Sequence, residues 1–445
     1  MFDTICTLPV QSDVFAQVIH PTEPLFAIGL SSGHVHAYKL PSDSEVIEDT
    51  SDDSASPPYK ATNSVNGSIV PSLRRASTAS LSESGLGSIS TLWTTRRHKG
   101  SCRCLAFSHD GEICYSAGTD GLVKAFYTDT GKVVSKIAMP QSVGLEGVDG
   151  PTVLHALSPQ ALLLGTDSGK LYLQDLRQGG KEIVSQCSQT WTPHGDEHIN
   201  ALVPLPVSET STSGFSKQWV SVGGATLSVT DLRKGTIATS EDQEIELTSL
   251  AMVQGLKKGG TSVGEKVLVG QSDGVVSLWE RGVWGDLDER IVVERAGLSV
   301  DSLAEVPFGF GGGKLKMNEK LVTVGLEDGR VRFMRIGRNG VLTNMDAKHD
   351  EIDGVVAVGF DIEGRMVTSG GQTVKVWTEA KGLPGGGRSA AAKHGMSSSD
   401  DDDDVDESDP DESSDEDSQS KPKRKKRKRN RGKDKSGGKA LDFSL

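Results

Sequence analysis

Residues 269–279 read VGQSDGVVSLW: a short apolar stretch closes on Gly270, a polar turn ends in Asp273-Gly274, and an alternating stretch runs to Trp279. Asp-Gly is typical of the tight turn between two antiparallel strands, because Gly adopts the backbone angles that such turns require. The alternation after the turn suits a strand whose two faces meet different neighbours. The stretch therefore predicts a β-hairpin.

This pattern occurs seven times along the chain. The first glycines of the seven units are Gly29, Gly118, Gly165, Gly223, Gly270, Gly325 and Gly370. Their steps are 89, 47, 58, 47, 55 and 45 residues, and the first step becomes 41 once a 48-residue insertion is removed. This period is typical of four-stranded propeller blades. Because no long stretch between the units indicates a helix, we expect an all-β, seven-bladed β-propeller.

Two segments are expected to lie outside the propeller, which we assign to residues 1–380. Residues 41–88, rich in Ser, Thr and Asp, predict a disordered insertion in the first blade, because too few apolar residues are present to form a core. Residues 381–445, Gly-rich, then acidic, then basic, predict a disordered tail. The last blade lacks an outer strand, so residues 4–8 (TICTL) are predicted to complete it.

The overall composition excludes several classes of protein. The 445 residues carry 48 Lys and Arg against 61 Asp and Glu, so the whole chain is not a basic nucleic-acid binder. Residues 1–20 show no secretory signal pattern, and apolar stretches such as 161–164 are too short to cross a bilayer. Five cysteines without a disulfide spacing predict a reduced, intracellular, soluble protein without membrane contact.

Residues 194–198 read HGDEH, the spacing of an inverted zinc-peptidase site. That chemistry needs both His side chains on one face of a helix, which Pro193 disfavours. We interpret the segment as a loop between blades, with His198 hydrogen-bonding inside its blade. His98 and His349 are expected to occupy similar positions.

Three cysteines are close together in sequence. Cys102 and Cys104 are expected to face the same side of one strand, and together with Cys114 we interpret them as buried thiols rather than metal ligands. With no catalytic arrangement recognisable, we expect a protein that is not an enzyme and has no cofactor.

The tail contains two blocks of opposite charge. Residues 400–417 hold thirteen acidic residues, and residues 421–435 hold eleven basic ones. The basic block predicts a nuclear import signal read by an import receptor, and a non-specific, salt-sensitive contact with RNA phosphates. A tail that only improves solubility is the alternative. The predicted localisation residues are Lys421, Lys423, Arg424, Lys425, Lys426, Arg427, Lys428 and Arg429.

Four serines lie in kinase-type contexts. Acidic residues follow three positions after Ser408, Ser413 and Ser414, and two arginines precede Ser77. Phosphates in the tail would increase the negative charge that faces the basic block.

Short stretches throughout the chain resemble one family of the WD-repeat superfamily. They are VFA at 14–16, HP at 20–21, LSSG at 30–33 and SCRCLAF at 101–107, followed by the charged tail. Together they resemble the WD repeat-containing protein 55 family, although no unit ends in a Trp-Asp pair. Fungal members are nucleolar and linked to ribosome biogenesis. The resemblance implies a nuclear and nucleolar scaffold that binds pre-ribosomal assembly factors during rRNA processing, as a monomer within larger complexes.

Two tripeptides support an alternative function. The sequence DLR occurs at 175–177 and at 231–233. Asp175 with Arg177, and Asp231 with Arg233, resemble half of the motif by which some propellers dock on a cullin ubiquitin-ligase adaptor. The chain would then be a substrate receptor of such a ligase. The alternative interpretation is that each pair supports a turn at the end of a strand.

Overall fold

The computed structural model describes residues 2–41, 89–140, 147–176, 187–207, 213–260, 262–310 and 315–379. These residues form 28 β-strands, and no helix among them is long and apolar enough to cross a membrane. The strands belong to a unit that spans Met1–Gly382. Apart from Pro41, the predicted insertion 41–88 lies outside the described residues, as does the predicted tail 381–445.

Every strand is between four and nine residues long. In chain order they are β1 (Phe2–Pro9), β2 (Val14–Ile19), β3 (Leu25–Leu30), β4 (His34–Lys39), β5 (Ser90–Arg96), β6 (Cys102–Phe107), β7 (Ile113–Gly118), β8 (Leu122–Tyr127), β9 (Val133–Ala138), β10 (Pro151–Ser158), β11 (Ala161–Thr166), β12 (Leu171–Asp175), β13 (Cys187–Trp191), β14 (Ile199–Pro204), β15 (Gln218–Gly223), β16 (Thr226–Asp231), β17 (Gly235–Thr239), β18 (Leu247–Gln254), β19 (Glu265–Gln271), β20 (Val275–Glu280), β21 (Glu289–Val292), β22 (Val300–Glu305), β23 (Lys320–Leu326), β24 (Arg330–Ile336), β25 (Gly340–Lys348), β26 (Ala357–Phe360), β27 (Met366–Gly370) and β28 (Thr373–Glu379).

The strands form seven antiparallel sheets of four. Sheets 1 to 6 take their strands in chain order, from β2–β5 through β22–β25, and sheet 7 has the order β1-β28-β27-β26. The first strands β2, β6, β10, β14, β18, β22 and β26 contact one another in that sequence, and β26 contacts β2 again. The predicted seven-bladed β-propeller is confirmed.

The hairpin predicted from residues 269–279 is formed by β19 and β20. Gly270 pairs with Val276, and Gly274 in the turn has a φ of 82°, a backbone conformation that residues with a side chain rarely adopt. A Cβ at Gly274 would also lie 2.4 Å from the carbonyl oxygen of Glu294. Close packing between neighbouring loops therefore adds to the turn's need for glycine.

The ring is closed by pairing between the two ends of the propeller. β1 runs antiparallel to β28, with Thr4 opposite Trp377 and Leu8 opposite Val374. Ile5 is 3% exposed and packs in one cluster with the core of sheets 1 and 7. Residues 4–8, for which the sequence predicts this role, lie inside β1. All five cysteines are free, so the β1–β28 pairing and this apolar contact, rather than a disulfide, hold the ring together.

The expectation that Cys102 and Cys104 face the same side of a strand is wrong. Cys102 pairs with Gly118 and Cys104 with Ala117, so β6 bulges by one residue between them. As a result, Cys102 packs in a cluster that includes residues of sheet 1, and Cys104 in one that includes residues of sheet 3. Burial raises the pKa of Cys104 to about 12, which keeps the thiol protonated.

Three buried histidines connect consecutive sheets. Each follows the last strand of one sheet and hydrogen-bonds a hydroxyl on the second strand of the next. The pairs, each with an N···O distance of 2.8 Å, are His98–Ser116, His194–Ser221 and His349–Thr368. The expectation that His198 has this role is wrong. His198 is next to β14, its side chain is 45% exposed, and its Nε2 faces Glu246 Oε1 at 3.4 Å.

Replacing Ile5 with Ala should lower the free energy of unfolding by about 2–5 kcal/mol, because the substitution leaves a cavity where β1 meets the core. Urea unfolding measures the change. The matched control is Asp3→Asn on the same strand, at an exposed position, where the expected change is below about 0.5 kcal/mol. Equal stability of the Ile5→Ala variant and the unsubstituted protein would contradict the packing of β1.

The stability of the protein should depend on pH through His194. Burial lowers its pKa from 6.5 to about 4. The unfolded chain therefore binds a proton at a pH where the folded chain does not, so stability present above pH 6.5 is lost as the pH falls towards 4. Between pH 7 and 5 the unsubstituted protein should lose about 2 kcal/mol more than a His194→Gln variant.

Urea unfolding at several pH values tests this expectation. Parallel profiles for the unsubstituted protein and His194→Gln would show that His194 is not held neutral by the fold.

Candidate functional site

The loops of the propeller fall into two groups at opposite ends of the ring. In an antiparallel four-stranded sheet, the loop between the second and third strands lies at the same end as the link to the next sheet. The structure shows this proximity: a Cβ at Gly169, between β11 and β12, would lie 2.5 Å from the carbonyl oxygen of Glu197, between β13 and β14. The loops between first and second strands, and between third and fourth, form the other end.

The two ends differ sharply in charge. The described loops of the first group contain 17 Asp and Glu against 4 Lys and Arg, and we call this the acidic end. The described loops of the second group contain 9 acidic and 10 basic residues, and we call this the opposite end. The acidic end consists of residues 10–13, 31–33, 97–101, 119–121, 139–140, 147–150, 167–170, 192–198, 224–225, 240–246, 272–274, 293–299, 327–329, 349–356 and 371–372.

Most acidic side chains at the acidic end are open to solvent. Eleven of the 17 are exposed, whereas Lys99 and Arg295 are the exposed basic residues of the described loops there. Burial, and the nearby charge of Glu327, raise the pKa of Asp301 at the start of β22, while the Ser299 hydroxyl donates to its carboxylate at 2.6 Å. The Glu327 carboxylate is thus close enough to disfavour ionisation of Asp301.

A cavity of about 720 Å³, which we call the channel, follows the inner strands of sheets 1, 2 and 3 along the ring axis. Phe15 and Val356 line it where β2 and β26 begin, at the acidic end, and their exposed fractions are 43% and 42%. Towards the opposite end, the loop after β14 brings Phe215 against His109 of sheet 2, with ring centroids 5.0 Å apart. The channel therefore has an apolar rim at the acidic end and an aromatic contact across its other mouth.

Three buried polar groups along the channel have no hydrogen-bond partner within the described residues. They are the indole Nε1 of Trp219, the amide oxygen of Gln17 and the hydroxyl of Thr152. Trp219 is 4% exposed, and its ring lies 5.3 Å from that of His155. Burial lowers the pKa of His155 to about 4, so this ring stays neutral near pH 7.

The adaptor-docking candidates lie at the opposite end. Asp231 is 2% exposed, and its Oδ1 accepts from the Arg233 backbone N–H at 2.9 Å, the arrangement expected of a residue that supports a turn. Arg233 is 65% exposed in its side chain. Asp175 ends β12, and Arg177 lies outside the described residues. The docking role of all four residues stays a prediction.

The HGDEH segment forms turns in the link between sheets 3 and 4, with His194 buried and His198 at the surface. His194 Nδ1 is 2.8 Å from the Thr226 hydroxyl, so both of its ring nitrogens are engaged within the blade. Across the described ranges, no three His, Cys, Asp or Glu side chains are grouped so that they could hold a metal ion.

The predicted residues of the insertion and tail lie outside the described part of the chain, and their roles stay predictions. They are Ser77, Ser408, Ser413, Ser414, Lys421, Lys423, Arg424, Lys425, Lys426, Arg427, Lys428 and Arg429. Pro41, the first residue of the predicted insertion, and Glu379, which ends β28, lie at the opposite end of the propeller.

Comparisons with known proteins agree with this architecture. The model of the WD domain, G-beta repeat, matches residues 89–126, which run from β5 into β8. The chain is 51% identical to WD repeat-containing protein jip5 of Aspergillus niger, over 85% of this chain and 82% of that protein. The protein of the same name from Aspergillus terreus is 52% identical over 85% and 83% of the two chains.

WD repeat-containing protein JIP5 of Coccidioides immitis is 50% identical, over 85% of this chain and 82% of that protein. WD40 propellers are generally non-catalytic scaffolds that bind proteins. Identity of about one half over most of both chains establishes the relationship. The chain belongs to the WD repeat-containing protein JIP5 family, a WDR55-like family of WD40-repeat β-propellers.

Proposed function

We propose that this chain is a non-enzymatic scaffold that binds protein partners during ribosome assembly in the nucleolus. The proposed nuclear localisation is supported by one observation, the block of eleven basic residues within 421–435. A cluster of this density suits the acidic groove of a nuclear import receptor. The resemblance of the chain to the WD repeat-containing protein 55 family supports the role in rRNA processing and pre-ribosome assembly.

The geometry of the ring supports the scaffold role. A rigid seven-sheet ring holds fifteen described loop segments at its acidic end and a separate set at its opposite end. Loops on a rigid frame are common binding surfaces, and two ends of different charge can select two partners of different chemistry. We expect pre-ribosomal assembly factors as partners, with the basic block adding non-specific contact to RNA phosphates.

A second candidate function is substrate reception for a cullin ubiquitin ligase. The exposed Arg233 side chain favours it, because a docking arginine must be accessible at the end of the propeller. Asp231 is buried and its carboxylate already accepts a hydrogen bond from the adjacent turn, so this residue does not support adaptor docking further.

Changing to Ala eight of the eleven basic residues of this block, those from Lys421 to Arg429, should move a fluorescent fusion of the full chain from the nucleolus towards the cytoplasm. The expected cause is loss of import-receptor binding and of electrostatic retention. Microscopy of living fungal cells measures the change. The matched control replaces Asp400–Asp404 with Asn and should keep nucleolar fluorescence. Nucleolar accumulation of the eight-residue variant would refute the import role.

Mass spectrometry of complexes recovered with the tagged full chain separates the two functions. The scaffold proposal expects pre-ribosomal proteins, and it expects them equally with an Arg177→Ala/Arg233→Ala variant. The receptor alternative expects a cullin adaptor that this double variant loses. Recovery of the adaptor without any pre-ribosomal protein would favour the alternative.

A further inference from the structure

We propose that the acidic end and the channel that opens onto it form a docking surface for an extended, Lys/Arg-rich segment of a partner protein. This inference deepens the scaffold role proposed above and rests on it for the existence of protein partners. It adds the chemical class of one partner and the end of the propeller that receives it.

The two ends of the propeller differ in the charge of their loops. The described loops of the acidic end contain 17 acidic and 4 basic residues, whereas the described loops of the opposite end contain 9 acidic and 10 basic residues. A surface of mostly negative charge around a channel strengthens the local electrostatic field, which attracts positively charged segments and repels acidic ones. The same charges spread evenly over the ring would not favour one end in this way.

Some carboxylates of the acidic end have no side-chain partner within the described residues. The side chains of Asp196, Glu197 and Glu327 are exposed and form no hydrogen bond or ion pair within the described residues. By contrast, Asp120 already contacts His98 Nδ1 at 2.8 Å. The three unpaired carboxylates are thus available to Lys or Arg side chains without the loss of an existing contact.

Polar groups inside the channel also need partners, independently of the acidic side chains. The Trp219 indole N–H is buried, lines the cavity and has no acceptor within the described residues, an arrangement that costs free energy until an acceptor is supplied. The Gln17 amide oxygen is a buried acceptor on the same cavity. An extended peptide backbone supplies both a carbonyl acceptor and an N–H donor.

The rim of the channel adds an apolar contact. Phe15 and Val356 are both partly exposed where the channel meets the acidic end. An apolar residue between basic ones would be covered there while its neighbours contact the carboxylates. The cavity of about 720 Å³ is in the size range of sites that enclose a drug-sized ligand, enough for a short stretch of chain but not for a folded domain.

A partner in trans is favoured over the basic block of the chain itself. Residues 421–435 follow directly on thirteen acidic residues at 400–417, which compete for the same basic side chains at a much shorter chain separation. The chain's own basic block is nevertheless the competing occupant. The test below therefore includes a variant in which the basic block is neutral.

The experiment measures the affinity of the full chain for a fluorescein-labelled peptide in which alternating lysines and arginines flank one leucine. Fluorescence anisotropy gives the dissociation constant. An Asp196→Asn/Glu197→Gln/Glu327→Gln variant should raise it by about tenfold.

The matched control, Glu23→Gln/Glu112→Gln/Asp129→Asn, changes the net charge equally at the opposite end. It should alter the dissociation constant by less than about twofold. Equal weakening by both variants would show attraction to net charge alone and would overturn the docking surface, as would no weakening by either. Tighter binding of the peptide once the block at 421–429 is neutral would identify the chain's own tail as the occupant and overturn the partner in trans.

A Trp219→Phe variant tests the channel separately. It removes the unpaired N–H while keeping an aromatic ring, so the dissociation constant should rise by about threefold to tenfold, measured at a temperature at which the variant remains fully folded because the smaller ring also leaves a cavity in the core. Unchanged affinity would remove the channel from the site. If the peptide fails to bind while pre-ribosomal proteins are still recovered with the tagged chain, this inference fails and the proposed scaffold function stands.

Discussion

The pairing of β1 with β28 is the interaction on which the rest of the molecule depends. Seven sheets can be arranged around an axis only if the last one is held against the first, and here the first strand of the chain joins the last sheet. The contact of Ile5 with the core of sheets 1 and 7 adds apolar burial to the hydrogen bonds of that ladder. Without it, β28 would be a free edge and the order of loops at each end would not be fixed.

A closed ring turns a local repeat into two functional surfaces. Each antiparallel sheet sends alternate loops to opposite ends, so residues far apart in sequence meet around the axis. Asp13 and Asp353 are 340 positions apart, yet both belong to loops of the acidic end. The charge of that end belongs to the whole ring, since a single sheet contributes only a few acidic side chains.

The repeat and its glycine-containing turns were sufficient to predict the number of sheets and the place of the N-terminal strand, because both depend on short-range pattern and on the need to close the ring. The positions of individual side chains depended on more. The bulge in β6 that separates Cys102 from Cys104, and the turn that buries His194 rather than His198, arise from contacts with the next sheet. The acidic end and the unpaired indole of Trp219 could not be predicted from the sequence, because both depend on how distant loops and strands are placed around one channel.

Hydrogen exchange of the full chain, followed by mass spectrometry, tests the closed ring most directly. If β1 is the outer strand of sheet 7, the amides of residues 2–9 that bond to β28 should exchange as slowly as those of an interior strand such as β27, because both are released by the same opening of the ring. Complete exchange of residues 2–9 at the rate of an unstructured peptide, with β27 still protected, would contradict closure by the N-terminal strand.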